Sequence, residues 1–219
     1  MPTENLTEAV QDYVKEIYKL EVRDERAATS AIAEAMEVSP SSATGMIKKL
    51  AALGLVEHEP YRGVTLTEQG RKVALEIVRH HRLIEQYLAE ALKLPIDQVH
   101  AEADRLEHAL SEELEAHIDA ALGHPTHDPH GDPIPDSGLT VPRDAVQPLS
   151  SIGEGAEATV RRVPDGDASL LRYLKEIGLV PGARLTVRNA APFGGPLTVD
   201  LSGDAQAISL ELAAQIGVA

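Results

Sequence analysis

At 219 residues the chain is long enough for two or three small domains, and it contains neither Cys nor Trp. Disulfides and thiolate metal sites are therefore excluded. A formal net charge of −15 argues against a general nucleic-acid coating protein. The charge is uneven. Residues 1–72 carry 9 basic and 12 acidic side chains and the remainder 11 and 23, so a DNA contact must lie in the first third and use a few placed residues. The polar, acidic stretch Met1-Pro2-Thr3-Glu4-Asn5 does not read as a signal peptide, and no long apolar run could span a membrane. A cytoplasmic protein is expected.

Leu6, Val10, Tyr13, Val14, Ile17, Tyr18 and Leu20 recur at helical spacing and predict an amphipathic helix over 6–22, with Asp12 one residue ahead of the Tyr13-Val14 pair. Thr29–Met36 predicts a short helix. Ser39 and Pro40 supply the N-cap and first position of a second helix that stops at Gly54. With Ile32, Ala35, Val38, Ile47, Leu50 and Leu53 as its small core, the pair fits a helix-turn-helix whose second helix enters the major groove N-terminus first. Its leading face carries Ser39, Ser41, Ser42 and Thr44, hydroxyls that reach phosphates and base edges, and Lys48 and Lys49 follow. Leu55–Glu59 and Val64–Thr67 read as the strands of a wing, with Arg62 at its tip as a minor-groove or phosphate contact. A winged helix can also serve protein contacts alone.

Thr67-Glu68-Gln69-Gly70 opens a long helix that runs to about Leu92, inside which His81 and Glu85 form an i, i+4 pair. Leu94-Pro95 starts the next helix. On it His100, Asp104, Glu107 and His108 fall within roughly a quarter-turn arc, so two imidazoles and two carboxylates line one stripe. A solvated acidic face explains any one of them. As a set, these mixed oxygen and nitrogen donors suit a divalent ion such as Mn²⁺, Fe²⁺ or Zn²⁺. Ser111 caps a further helix to about Leu122, and the apolar surface of these helices exceeds what one protomer covers, which predicts a helical homodimer. Residues 123–150, rich in Pro, Gly, His and Asp, read as a loop or linker, where closely spaced His side chains either bind metal weakly or face water. Short alternating runs at 156–163, 179–187, 197–201 and 206–210, with a helix over 169–177, predict a small β-barrel.

This order of a winged helix, a helical region and a small barrel resembles the diphtheria toxin repressor family of iron- and manganese-dependent transcriptional regulators, over nearly the whole chain. The most specific pieces are Ser39-Pro40-Ser41-Ser42, Arg79-His80-His81-Arg82-Leu83-Ile84-Glu85, Val99-His100 through Glu107-His108, and Gly131-Asp132-Pro133-Ile134-Pro135. Gly178-Leu179-Val180-Pro181-Gly182 is similar to the SH3-like domain of that family and of small ferrous-iron transport accessory proteins. The resemblance implies a mainly α fold with β. Its parts are an N-terminal winged helix-turn-helix (1–73), a helical dimerisation and metal-binding domain (74–141), a linker (142–150) and a C-terminal SH3-like β-barrel (151–219). It implies a homodimer that binds a palindromic operator on double-stranded DNA when Mn(II), or alternatively Fe(II), is bound, and that represses manganese or iron uptake genes.

The resemblance also implies a primary metal site made of Asp12, Asp104, Glu107 and His108. The iron-sensing branch has Met and Cys at the first two positions. Asp at both resembles the manganese-sensing branch, and hard oxygen donors suit Mn(II). A second site is implied at His81, Glu85 and His100. It is completed either from the barrel, where Asp167 can ligate and Leu170 cannot, or from Asp128 and His130 of Asp128-Pro129-His130-Gly131, which stands where some manganese members have Cys-Pro-His-Gly. Lys15 replaces a Glu that two-domain manganese regulators use in a paired metal site. A protonated Lys cannot ligate and repels a close cation, so two separated sites are expected. Two other readings compete. One is a winged-helix regulator without metal control. The other is a metallohydrolase, disfavoured because His-Glu-x-x-His and a spare positioned base are both missing, so no enzyme is expected.

Overall fold

The computed structural model describes residues 6–24, 26–59 and 62–219. They pack as two units. One comprises residues up to His81 with Glu107–Leu110 and Pro135–Thr140, and the other Arg82–Leu106, Ser111–Ile134 and Val141–Ala219.

In the first unit, helix α1 (Glu8–Asp24) buries Val10, Tyr13, Val14, Ile17, Tyr18 and Leu20, the apolar stripe of its 3.6-residue period. Helices α2 (Thr29–Ala35) and α3 (Pro40–Ala52) form the helix-turn-helix. Ser39 caps α3 by accepting from the Ser42 amide, with Pro40 at the first helical position. Ile32, Ala33, Ala43, Ile47 and Leu50 fill the seam, whereas Ala35, Val38 and Leu53, expected inside, are exposed. For Val38 the cause is the turn: Glu37 takes a left-handed conformation (φ 51°), which puts Val38 out of phase with α2.

The wing is β1 (Val56–Glu59) paired antiparallel with β2 (Gly63–Leu66), Val56 opposite Leu66. Pro60 and Tyr61 of its turn lie outside the described residues. Glu21 fastens the wing to α1. Its carboxylate accepts the Leu66 amide at 2.6 Å and Arg71 at 2.7 Å, and the Arg71 guanidinium also lies over the Tyr18 ring. Helix α4 (Glu68–Glu90) starts on Thr67, whose hydroxyl accepts from the Gly70 amide. Gly70 is required there because a Cβ would run into the Leu55 carbonyl oxygen.

Helix α5 (Ile96–Leu106) gives way to a 3-10 turn, Glu107–Ala109, before α6 (Glu112–Ala121), which Ser111 caps. The stripe expected on one continuous helix is therefore broken at Leu106. Glu107 and His108 leave the helical phase of His100 and Asp104, and the tighter turn delivers Glu107 to partners that hold both its oxygens.

The second unit carries β3 (Gln147–Pro148), β4 (Glu157–Arg162), α7 (Ala168–Glu176), β5 (Arg184–Ala190), β6 (Leu197–Leu201), β7 (Asp204–Ile208), α8 (Leu210–Gln215) and β8 (Gly217–Val218). The strands form one antiparallel six-stranded sheet in the order β3-β8-β4-β5-β6-β7. Irregular register near Val160 and near Val187 bends β4 and β5 about a core that includes Val160, Leu174, Leu179, Leu197 and Ile216. The segment expected as a loop holds a tight turn: the Asp128 amide donates to the Asp132 carbonyl, and the Ile134 amide to that of Thr126. The Val163 amide, just past β4, donates to the His130 carbonyl and joins this turn to the sheet. Among the described residues no helix is long and apolar enough to cross a membrane.

Candidate metal centres and nucleic-acid surface

The first unit brings Asp12, Glu107 and His108 together, with one ligand atom from each inside a 4.8 Å circle. His108 Nε2 stands 2.9 Å from Asp12 Oδ1 and 3.5 Å from Glu107 Oε1. The other ring nitrogen, Nδ1, lies 2.8 Å from Gln11 Oε1, while the Gln11 amide nitrogen donates to the Leu6 carbonyl. With that nitrogen turned to a carbonyl, the amide oxygen faces the imidazole, so Nδ1 carries the proton and Nε2 presents a lone pair. At 2.9 Å the ring nitrogen and the carboxylate oxygen are close enough to share a proton or to ligate one cation. Oxygen, oxygen and nitrogen donors so placed fit a divalent ion. Burial raises the Asp12 pKa above the usual carboxylate range, against the lowering pull of His108 and Lys15.

Glu107 has a fully buried side chain with both oxygens engaged: Oε1 lies 2.5 Å from Lys15 Nζ and Oε2 2.6 Å from His81 Nδ1. Burial pushes its pKa up, but the His81 hydrogen bond and the Lys15 charge outweigh that and hold it below the ordinary value. His81 thus commits Nδ1 to Glu107 and orients that carboxylate. A cavity of about 250 Å³ lined by Gln11, His80, Glu107 and His108 adjoins the set.

The second unit holds two overlapping donor sets that share Glu85: Glu85, Asp128 and His130, all buried, and Glu85, His100 and Asp165. Asp128 Oδ1 accepts the amides of His130 and Asp132, which leaves Oδ2 buried with no hydrogen bond. His130 Nε2 lies 3.1 Å from the Ile96 carbonyl, which leaves Nδ1 as the nitrogen turned toward Glu85. That atom is buried without a hydrogen bond, 3.7 Å from Glu85 Oε2. Such a spacing is too long for a hydrogen bond but suits two donors of one ion at metal–ligand distances of about 2.0–2.2 Å. Burial, then the charges of Glu85 and Asp132, push the Asp128 carboxyl up to about 7. Burial would lower His130, but its interaction with Glu85 wins and raises it to about 9. Glu85 Oε1 meets His100 Nδ1 at 2.9 Å, and Asp165 Oδ2 lies 3.7 Å from the same nitrogen. Arg82 steadies the turn, donating to the Pro133 carbonyl at 2.6 Å and pairing with Asp128 and Asp132.

Two further expected ligands belong to the second unit. Asp104 is half-exposed beside His100, 3.7 Å from Nε2, in the second unit. Asp167 caps α7, its Oδ1 accepting the amides of Ser169 and Leu170. The aspartate that faces His100 is Asp165. Asp165-Gly166-Asp167 offers two carboxylates, and helix capping claims the one next to the helix start. Gln11 carried no signal, since its partner is 97 residues away. Of the histidines in 123–150, His130 is buried at the second set, while His127 pairs with Asp144 and the exposed His124 with Asp119.

On α3 the side chains of Ser39, Ser41 and Ser42 are exposed, and the Ser39 hydroxyl lies 2.9 Å from each of the other two. The Thr44 hydroxyl donates to the Pro40 carbonyl, and Lys48 and Lys49 are exposed. At the wing Arg62 is exposed and pairs with Glu59, which also binds Arg26. The Arg26 and Arg62 contacts hold the Glu59 carboxyl below its usual range.

Three family models match the chain: the N-terminal DNA binding domain of iron dependent repressors over 5–64, their metal binding and dimerisation domain over 67–136, and the FeoA domain over 147–219. The iron-dependent repressor IdeR of Mycobacterium tuberculosis is 32% identical over 212 residues, covering 90% of each chain. Among solved structures, a manganese-dependent transcriptional repressor in complex with manganese is 40% identical with a TM-score of 0.90, covering 95% of this chain and 98% of that one. The manganese regulator SloR is 33% identical with a TM-score of 0.82, covering 96% and 97%. With a winged helix, a metal-capable helical region and a FeoA-type sheet domain in this order, the chain belongs to the iron-dependent repressor family of metal-dependent DNA-binding transcriptional regulators.

Proposed function

We propose that the protein is a cytoplasmic homodimer that binds a palindromic operator when loaded with Mn(II), accepts Fe(II) as a second activating ion, and represses manganese or iron uptake genes without enzymatic activity. The observation that carries this reading is the 2.9 Å approach of Asp12 Oδ1 to His108 Nε2. Asp12 belongs to the segment matched as DNA-binding and His108 to the segment matched as metal-binding and dimerising. A bound divalent ion supplies the positive charge that ties two carboxylates and an imidazole from those segments into one arrangement. The all-oxygen-and-nitrogen donor set in a chain without Cys favours Mn(II) over softer-ligand metals, and the manganese-bound repressor above supports the same choice.

The chain's own residues do the rest. Gln11 sets the His108 tautomer, and His81 orients Glu107. Helix α1 carries Asp12 on one turn and Glu21 further along, and Glu21 grips the β2 backbone, so the placement of α1 is passed to the wing. Fixing α1 favours one arrangement of the reading head, which is coupling through differential affinity. In a two-fold dimer two α3 helices would then present themselves about 34 Å apart, one turn of DNA. Glu85, Asp128 and His130, with His100 and Asp165, form the proposed second site, which ties the 128–134 turn to α4 within its unit.

The test selects DNA from a random pool with Mn(II)-loaded protein, then measures affinity for that DNA in Mn(II) and in chelator. At least hundredfold tighter binding in Mn(II), lost in the Asp12→Ala, His108→Ala double variant, is the expected result. Equal affinity in both buffers overturns the reading.

A further inference from the structure

We infer that Lys15 is a built-in rival of the metal ion, which sets the ion concentration at which the first site fills. The inference rests on the reading of Asp12, Glu107 and His108 as a metal site. Of the two Glu107 oxygens, Oε1 is the one 3.5 Å from His108 Nε2, and it is also the one 2.5 Å from Lys15 Nζ. The second oxygen is held by His81 at 2.6 Å. Both oxygens already carry a partner, so an ion that uses Oε1 meets the ammonium at that atom and either displaces it or shares the oxygen against its charge.

The pair is deeply seated: the Lys15 side chain is 9% exposed and that of Glu107 is fully buried. Water therefore screens their attraction weakly, and Lys15 competes as a strong partner rather than a loose surface charge. Lys15 also stands one helical turn beyond Asp12 on α1, and its charge pulls down the Asp12 carboxyl as well as that of Glu107. Before an ion arrives, the two carboxylates of the set are thus already half neutralised. A divalent ion exchanges for one tethered charge and must tolerate the ammonium close by afterwards. Both effects weaken binding without changing which residues ligate.

The discriminating measurement is Mn(II) titration followed by the six-line EPR signal of the free ion, on the full chain at fixed pH and ionic strength. Lys15→Met removes the charge and keeps the stem. Lys15→Gln removes the charge and keeps a donor to Glu107. Both variants are expected to bind one class of Mn(II) at least tenfold more tightly than the parent. The Mn(II) midpoint for DNA binding should fall by the same factor, while DNA affinity at saturating Mn(II) stays the same. A lysine that merely supports the fold would not shift the midpoint downward. If neither variant binds more tightly while both keep the parent circular dichroism spectrum, Lys15 is no competitor. His108→Ala tests the underlying reading separately: if it binds as many tight ions as the parent, the site assignment itself is wrong and the role of Lys15 goes with it.

Discussion

Gln11 Oε1 lies 2.8 Å from His108 Nδ1, and this single hydrogen bond decides which imidazole nitrogen faces Asp12. Outer partners of this kind typically contribute about 10–100-fold to metal affinity. Gln11→Ala is therefore expected to weaken Mn(II) at the first site by that factor in calorimetric titration. Gln11→Glu, which keeps an acceptor, should recover most of the loss. Parent-like affinity in the Ala variant would mean that another group sets the tautomer.

Asp165 and Asp167 separate ligand from cap. Asp165 faces His100 across 3.7 Å, whereas Asp167 accepts two amides at the start of α7. Asp165→Ala should remove affinity at the second site and leave thermal stability in chelator nearly unchanged. Asp167→Ala should cost about 1 kcal/mol of stability, read by thermal unfolding, with Mn(II) binding unchanged. The reverse pattern would restore Asp167 as the ligand.

These two pairs also show what a linear sequence can and cannot carry. Helix caps at Ser39 and Ser111, the wing and most strands are legible because capping residues and short apolar periods act within a few positions. The same local logic assigns Asp167 to its helix. By contrast, the break at Leu106 is imposed from outside α5. Glu107 is drawn to Lys15 and His81, 92 and 26 residues away, and no local residue signals that the helix should stop. Helix α8 does carry a local signal in its Ser209 cap, but strands β3 and β8 are hidden for a related reason. Each strand is two residues long and exists only through pairing across the sheet.

Protonation of the second set gives a pH dependence whose sign is fixed by its directions. Asp128 is raised to about 7 from 3.8, so the folded state keeps a proton that the unfolded chain has lost, and that contribution disappears as pH rises from about 4 through about 7. His130 is raised to about 9 from 6.5, so its contribution is complete below 6.5 and is lost as pH climbs through about 9. The metal-free protein should therefore lose stability from this cluster toward alkaline pH. Mn(II) binding needs Asp128 ionised and His130 neutral, so it releases protons and tightens as pH rises toward 9. Calorimetry at pH 7.5 in two buffers of different ionisation enthalpy should report about one proton released per ion at this site. No release would contradict a charged His130.

Gly131 holds the turn that presents Asp128 and His130. Its φ of 92° lies in the region glycine favours, and a Cβ there would run into the Arg161 carbonyl oxygen on β4. Gly131→Ala must push the turn off the sheet or distort it, and either movement displaces both ligands. Loss of the second Mn(II) class is expected, with the first class retained, in the same EPR titration. Retention of both classes would show that the turn tolerates the shift.

The reading surface makes a quantitative prediction because its cations differ in what they must give up to meet DNA. Lys48 and Lys49 are exposed on α3 behind the hydroxyl-bearing first turn. Arg62 is exposed too, but it is paired with Glu59 at 3.3 Å, and Glu59 stays ionised because Arg26 and Arg62 hold its pKa down. Each phosphate contact contributes about 0.9 to the slope of log K against log salt. Replacing one lysine by Ala should lower that slope by about 0.9 per protomer if it touches phosphate. Arg62→Ala should lower it by less, since in the free protein Arg62 already has an anionic partner to leave. Glu59→Gln then becomes informative: it releases Arg62, so DNA affinity should rise and the salt slope steepen. The measurement is anisotropy of labelled selected DNA across a salt series at saturating Mn(II). An unchanged slope in the lysine variants would mean that α3 approaches the groove without its lysines reaching the backbone.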